Sequence, residues 1–214
     1  VAATPAVKPA GRRGRLIFAM DATASREPTW DRACHIQGQM FETTASLGGL
    51  QIQLCYYRGY GEFKASPWLT RSKELLQRMT RVFCLGGLTQ IEKVLRHALK
   101  ETKDKKVDAV VFVGDVMEED VDRLAHLAGE LGLHGVPVFL FQEGIDPVAE
   151  RAFRQIARLT DGAFCPFDSS SADQLRDLLS AVAVYAAGGR RALENFGKSR
   201  GGVVPRLVHQ VKKD

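Results

Sequence analysis

The chain has 214 residues, 45% apolar and 26% charged, which suits one α/β domain with a large core better than two domains. It has no run of about 18 apolar residues, which excludes a transmembrane helix from the sequence as given. The net charge of +5 is uneven: residues 1–15 carry four basic groups and no acid, residues 188–214 a net +5, and residues 16–187 a net −4. The basic character therefore belongs to the ends, which speaks against a nucleic-acid-binding face on the domain body.

Residues 1–14 are rich in Ala, Pro, Gly and Arg and lack periodicity, so they are expected to form a flexible arm. An apolar run, Arg15 to Met20, then stops at Asp21 and suits a strand buried on both faces. Pro28 is placed to open a helix reaching about Ser46, which Gly48-Gly49 would stop. Residues 51–57 alternate as a second strand. Gly59 and Gly61 make a turn, and residues 62–65 would return as an edge strand.

A helix is expected from Thr70 to Val82, with Leu75, Leu76 and Met79 on one face. The loop Leu85-Gly86-Gly87-Leu88 leads to Thr89 and a helix to about Lys103. Val107 to Val113 is the strongest strand signal and ends in Gly114-Asp115. Then follow a helix at 118–133, a strand at 136–142, a helix at 147–159, a short strand at 162–166 and a helix at 172–187. Gly188-Gly189 would open a basic tail through residue 214, solvated or making a weak contact with an anionic surface.

This alternation predicts a doubly wound α/β domain over residues 15–187. Its sheet should be mostly parallel, with one antiparallel edge strand and helices on both faces. In such sheets ligands bind beyond the carboxyl ends of the strands, where strand order reverses. Three polar segments fall there: Asp21-Ala22-Thr23-Ala24-Ser25, Gly86-Gly87-Leu88-Thr89 and Gly114-Asp115. If the first and fourth strands are neighbours, Asp21, Thr23, Ser25, Thr89 and Asp115 converge.

Two carboxylates and three hydroxyls make an all-oxygen donor set, the kind that hard cations prefer. The expected cofactor is Mg²⁺, with Mn²⁺ or Ca²⁺ as substitutes. Neutral hydroxyl ligands would leave the ion enough positive charge to attract a carboxylate from a partner.

This arrangement resembles the von Willebrand factor A family. Its metal-ion-dependent adhesion site has the pattern D-x-S-x-S, then a Thr in a Gly-rich loop, then an Asp after the fourth strand. The matching residues are Asp21, Thr23 and Ser25, then Thr89, then Asp115. The chain departs from the pattern at Thr23, where the family has Ser, and at Gly114, where it often has Thr or Ser. The resemblance implies direct metal binding by the first two hydroxyls, direct or water-mediated binding by Thr89, and at least one Asp acting through water. Asp161 follows a helix rather than the strong strand and is set aside.

Structural alternatives stand beside each piece. Thr89-Gln90-Ile91-Glu92 reads as a capping box, and Asp115, Glu118 and Glu119 complement a helix dipole. No P-loop, dinucleotide fingerprint, nucleophile elbow or H-E-x-x-H is present. The function expected is cation-dependent binding of another protein that presents an Asp or Glu side chain, without catalytic residues. The alternatives are a metal-dependent hydrolase or phosphoryl-transfer enzyme, with Glu118, Glu119 or Asp120 as the nearby base, and a metal-free scaffold of the same fold. The four cysteines form no C-x-x-C pair, and Cys55, Cys84 and Cys165, in apolar surroundings, read as buried reduced thiols, which suits a cytoplasmic location.

Overall fold

The computed structural model describes residues 13–168 and 171–211. Six strands form one sheet in the order β3-β2-β1-β4-β5-β6. They are β1 (Gly14–Asp21), β2 (Leu50–Arg58), β3 (Glu62–Ala65), β4 (Ala109–Gly114), β5 (Val138–Glu143) and β6 (Ala163–Phe167). Only β3 runs antiparallel, as the second arm of a hairpin with β2. β1 pairs in parallel with both β2 and β4, so strand order reverses at its carboxyl end.

Alternation along β1 explains why the sheet is covered twice. Leu16, Phe18 and Met20 enter one core; Ile17 and Ala19 enter the other. The first core is closed by α1 (Glu27–Ile36), α2 (Gly38–Thr44), α3 (Ser72–Met79), α7 (Ala172–Ser199) and α8 (Val204–Gln210). The second is closed by α4 (Ile91–Asp104), α5 (Val121–Leu133) and α6 (Pro147–Leu159). Every residue of β1, β4 and β5 is buried, as expected of parallel strands with helices on both faces.

The structure departs from the expected elements in two places. The helix expected at 28–46 is two helices, broken between Ile36 and Gly38, with short 3-10 turns at Ala24–Arg26 and Ala45–Leu47. The tail expected from residue 188 is folded as far as residue 211. Gly189 leaves helical geometry at φ 73°, kinking α7, but the helix resumes to Ser199. It resumes because Leu193, Val204 and Leu207, each fully buried, complete the first core. Gln210 on α8 then clamps the outermost strand. Its carbonyl accepts from Phe164 N at 3.0 Å and its amide donates to Phe164 O at 2.8 Å. A sheet edge is thereby covered rather than left open.

The arm expected at 1–14 lies outside the described residues, except that Arg13 precedes the sheet and Gly14 begins β1. Residues 212–214 lie outside them too. No helix among the described residues is long and apolar enough to cross a membrane.

Candidate metal centre

β1 ends on Asp21, whose carboxylate is 1% exposed at the point where strand order reverses. Its Oδ1 accepts a hydrogen bond from Thr23 N at 2.7 Å, which curls the chain over the strand end. Its Oδ2 is buried and has no hydrogen-bond partner. The Tyr57 hydroxyl, buried beside it on β2, lies close enough to lower the carboxyl's pKa but makes no hydrogen bond of good geometry to it. Burial, and secondarily the charge of Asp115, raise the Asp21 carboxyl from 3.8 to about 6, against the opposing bonds from Thr23. An unsatisfied buried carboxylate oxygen is costly and calls for a proton or a cation.

The 3-10 turn after Thr23 carries Ser25 and Arg26. Ser25 Oγ donates to Asp115 Oδ2 at 3.3 Å, joining the ends of β1 and β4. Asp115 steadies its own turn by accepting from Val116 N at 2.9 Å through Oδ1. Gly114 is packed closely: a Cβ there would stand 2.8 Å from the buried Phe112 ring, which would have to shift, and 3.8 Å from Asp21 Cβ. Asp21, Thr23, Ser25 and Asp115 therefore form one group.

Thr89 sits differently. The loop that carries it is stitched to the β2–β3 hairpin: Leu88 N donates to Gly59 O, Gly87 packs with no room for a Cβ against Gly59, and Leu85 N donates to Ala22 O at 3.0 Å. These bonds bring the loop beside β1. The Thr89 hydroxyl, however, accepts from Glu118 N at 3.0 Å, and Glu118 Oε2 accepts from Thr89 N at 3.1 Å. Among the described residues no hydrogen bond joins Thr89 to the other four.

The neighbouring acids serve the backbone. The expected capping box does not form: the Thr89 hydroxyl accepts from Glu118 N instead, and Gln90, not Thr89, is the N-cap residue. The Glu119 carboxylate reaches across to take Ile91 N at 2.6 Å and Glu92 N at 2.8 Å. Asp120 caps α5 through Arg123 N at 2.9 Å. Asp161 precedes edge strand β6, at the amino end of the sheet, whereas Asp21 lies at the carboxyl end of central β1.

Two residues not anticipated from the sequence complete the group. Arg26, 9% exposed, places one guanidinium nitrogen 3.2 Å from Asp115 Oδ2 and another on Glu143. Glu143 ends β5, is 6% exposed and also accepts from the Thr29 hydroxyl. A charged residue closing the apolar run Val138 to Gln142, just as Asp21 closes β1, was the available signal.

The six-stranded, mostly parallel sheet with helices on both faces has a von Willebrand factor A-like fold. No family model matches the chain, and no curated protein is significantly similar to it in sequence. Solved structures match it in fold. A von Willebrand factor type A protein from Catenulispora acidiphila superposes with a TM-score of 0.67 at 14% identity, over 80% of this chain and 43% of that one. Proximal thread matrix protein 1 of the mussel byssus, with a zinc-occupied MIDAS motif, gives 0.65 at 14% identity, over 81% of this chain and 46% of that one. The SpRpn10 VWA domain gives 0.58 at 14% identity, over 83% of this chain and 98% of that one. The chain thus spans less than half of the first two proteins and nearly all of the isolated domain. At such identity the likeness is one of fold.

The donor chemistry fits a hard cation. Among the described residues no three His, Cys, Asp or Glu side chains cluster as a metal site. The donors are instead two carboxylates and two hydroxyls, with one carboxylate oxygen unpartnered. Such a set suits Mg²⁺, which keeps several waters, better than Zn²⁺, which favours nitrogen and sulfur.

Proposed function

We propose that this domain binds another protein through a divalent cation, Mg²⁺ or a substitute such as Mn²⁺ or Ca²⁺, held at Asp21, Thr23, Ser25 and Asp115. The observation that carries the reading is the orphaned, buried Asp21 Oδ2 beside the Ser25–Asp115 pair. When bound, the cation supplies a positive charge with a coordination position left open for a carboxylate. Thr23 and Ser25 provide neutral oxygens, so Asp21 and Asp115 alone offset that charge. Thr89 contributes either through water or by releasing Glu118 N. The partner is accordingly a protein presenting an Asp or Glu side chain.

Binding is favoured over catalysis by the neighbouring acids. Glu118, Glu119 and Asp120 are each engaged by backbone amides, and so are poorly placed to serve as a general base. Four free thiols suit a reducing compartment such as the cytoplasm.

One observation favours a second reading, a metal-free scaffold: Arg26 already sets a positive charge on Asp115. Titrating Mg²⁺ into the EDTA-stripped protein by calorimetry separates the two. Saturable binding that Asp21→Ala abolishes supports the metal centre. No binding, or binding unchanged in Asp21→Ala, leaves the scaffold.

A further inference from the structure

We propose that Arg26 is a built-in competitor for the cation, so that its guanidinium and the ion exclude one another at Asp115. The inference rests on the metal reading above and concerns how that site is regulated.

Three contacts link Arg26, Ser25 and Asp115 to one another, two of them on Asp115 Oδ2. Asp115 Oδ2 accepts the Ser25 hydroxyl at 3.3 Å and pairs with Arg26 at 3.2 Å, while Arg26 Nε reaches Ser25 Oγ at 3.5 Å. An ion taking oxygens from both Ser25 and Asp115 would therefore meet a guanidinium already on that pair. Two positive charges on this half-buried pair repel, more strongly than they would in open water. The guanidinium also cannot lose its proton to escape the conflict.

Glu143 gives Arg26 somewhere to go. It holds a second guanidinium nitrogen and is itself held by Thr29. Arg26 can thus give up Asp115 without becoming an unpaired buried charge. The residue closes the 3-10 turn that Thr23 precedes and Ser25 lies in. Its two arrangements are a closed site, with Arg26 on Asp115 and Glu143 together, and an open one, with Arg26 on Glu143 alone. Closure lowers the cation affinity. Occupancy then depends on cation concentration and on a partner carboxylate that adds its own ligand.

Calorimetric titration of Mg²⁺ into the EDTA-stripped full chain tests this, comparing wild type, Arg26→Gln, and the double variant Arg26→Gln/Glu143→Gln. The double variant removes both charges of the pair and covers the case in which the single one misfolds. The expected result is affinity raised by about tenfold or more in whichever Arg26 variant folds. Wild-type binding with equal or weaker binding in the variants overturns the competition while leaving the metal centre standing. Absence of binding in all three overturns the metal centre and the competition with it.

Discussion

The Arg26 guanidinium lies 3.2 Å from Asp115 Oδ2 while a second nitrogen holds Glu143, so one buried cationic side chain ties the ends of β1, β4 and β5 together. Removing one partner of a buried pair leaves a charge without compensation, at a cost of about 3–5 kcal/mol. Here Asp115 remains to pair with Arg26. Glu143→Gln is therefore expected to lower unfolding stability by about 3 kcal/mol, the low end of that range, in urea denaturation without metal. A loss below about 1 kcal/mol would mean that the pair behaves like a solvent-exposed one.

Asp21 gives a pH dependence of fixed sign. Its carboxyl titrates at about 6 in the folded chain against 3.8 ordinarily. Between those values the folded protein holds a proton that the unfolded chain has released. Stability of the metal-free protein should therefore fall as pH rises from about 4 to about 6, by about 3 kcal/mol from this group, and stay flat above. Asp21→Asn removes the buried charge and keeps an acceptor for Thr23 N. It should stabilise the metal-free protein by about 1–3 kcal/mol at pH 7.5 and change little near pH 4, as read by thermal melts. Destabilisation at pH 7.5 would show that the carboxylate is satisfied after all.

Gly114 marks a departure from the family pattern that the packing explains. A side chain there meets the buried Phe112 ring at 2.8 Å. Gly114→Ser, which restores the hydroxyl common in the family, should cost about 1–3 kcal/mol, as overpacking typically does. A melt showing no loss would mean that the ring moves freely.

Glu119 distinguishes structural from catalytic acids. Its carboxylate satisfies the first two amides of α4. Glu119→Ala should cost about 1–2 kcal/mol, as loss of a helix cap does, and leave Mg²⁺ binding unchanged. Calorimetric loss of Mg²⁺ binding would place Glu119 in the metal site instead.

The sheet could be read from the sequence because β1, β4 and β5 are short apolar runs bounded by turn residues, and Leu16 to Met20 or Val138 to Phe141 admits little else. Gly59 and Gly61 likewise marked the hairpin that supplies the one antiparallel strand. The helices past Gly188 were hidden because two glycines normally end a helix. Only the burial of Leu193, Val204 and Leu207 against distant strands shows why the chain continues. In the site, the four clustered side chains followed from the spacing just past the end of β1 and from the β1–β4 pairing. The Arg26–Glu143 contact joins residues 117 positions apart. Nothing local announces such a pair. The Thr89–Glu118 exchange is similarly tertiary, and it sets Thr89 apart from the group its spacing suggested.

The most direct measurement is a crystal structure with Mn²⁺, located by its anomalous scattering. The account predicts one Mn²⁺ peak within bonding distance of the Thr23 and Ser25 hydroxyls, with Asp21 and Asp115 beside it and Arg26 withdrawn to Glu143. No peak at saturating Mn²⁺, with Arg26 still on Asp115, would contradict it.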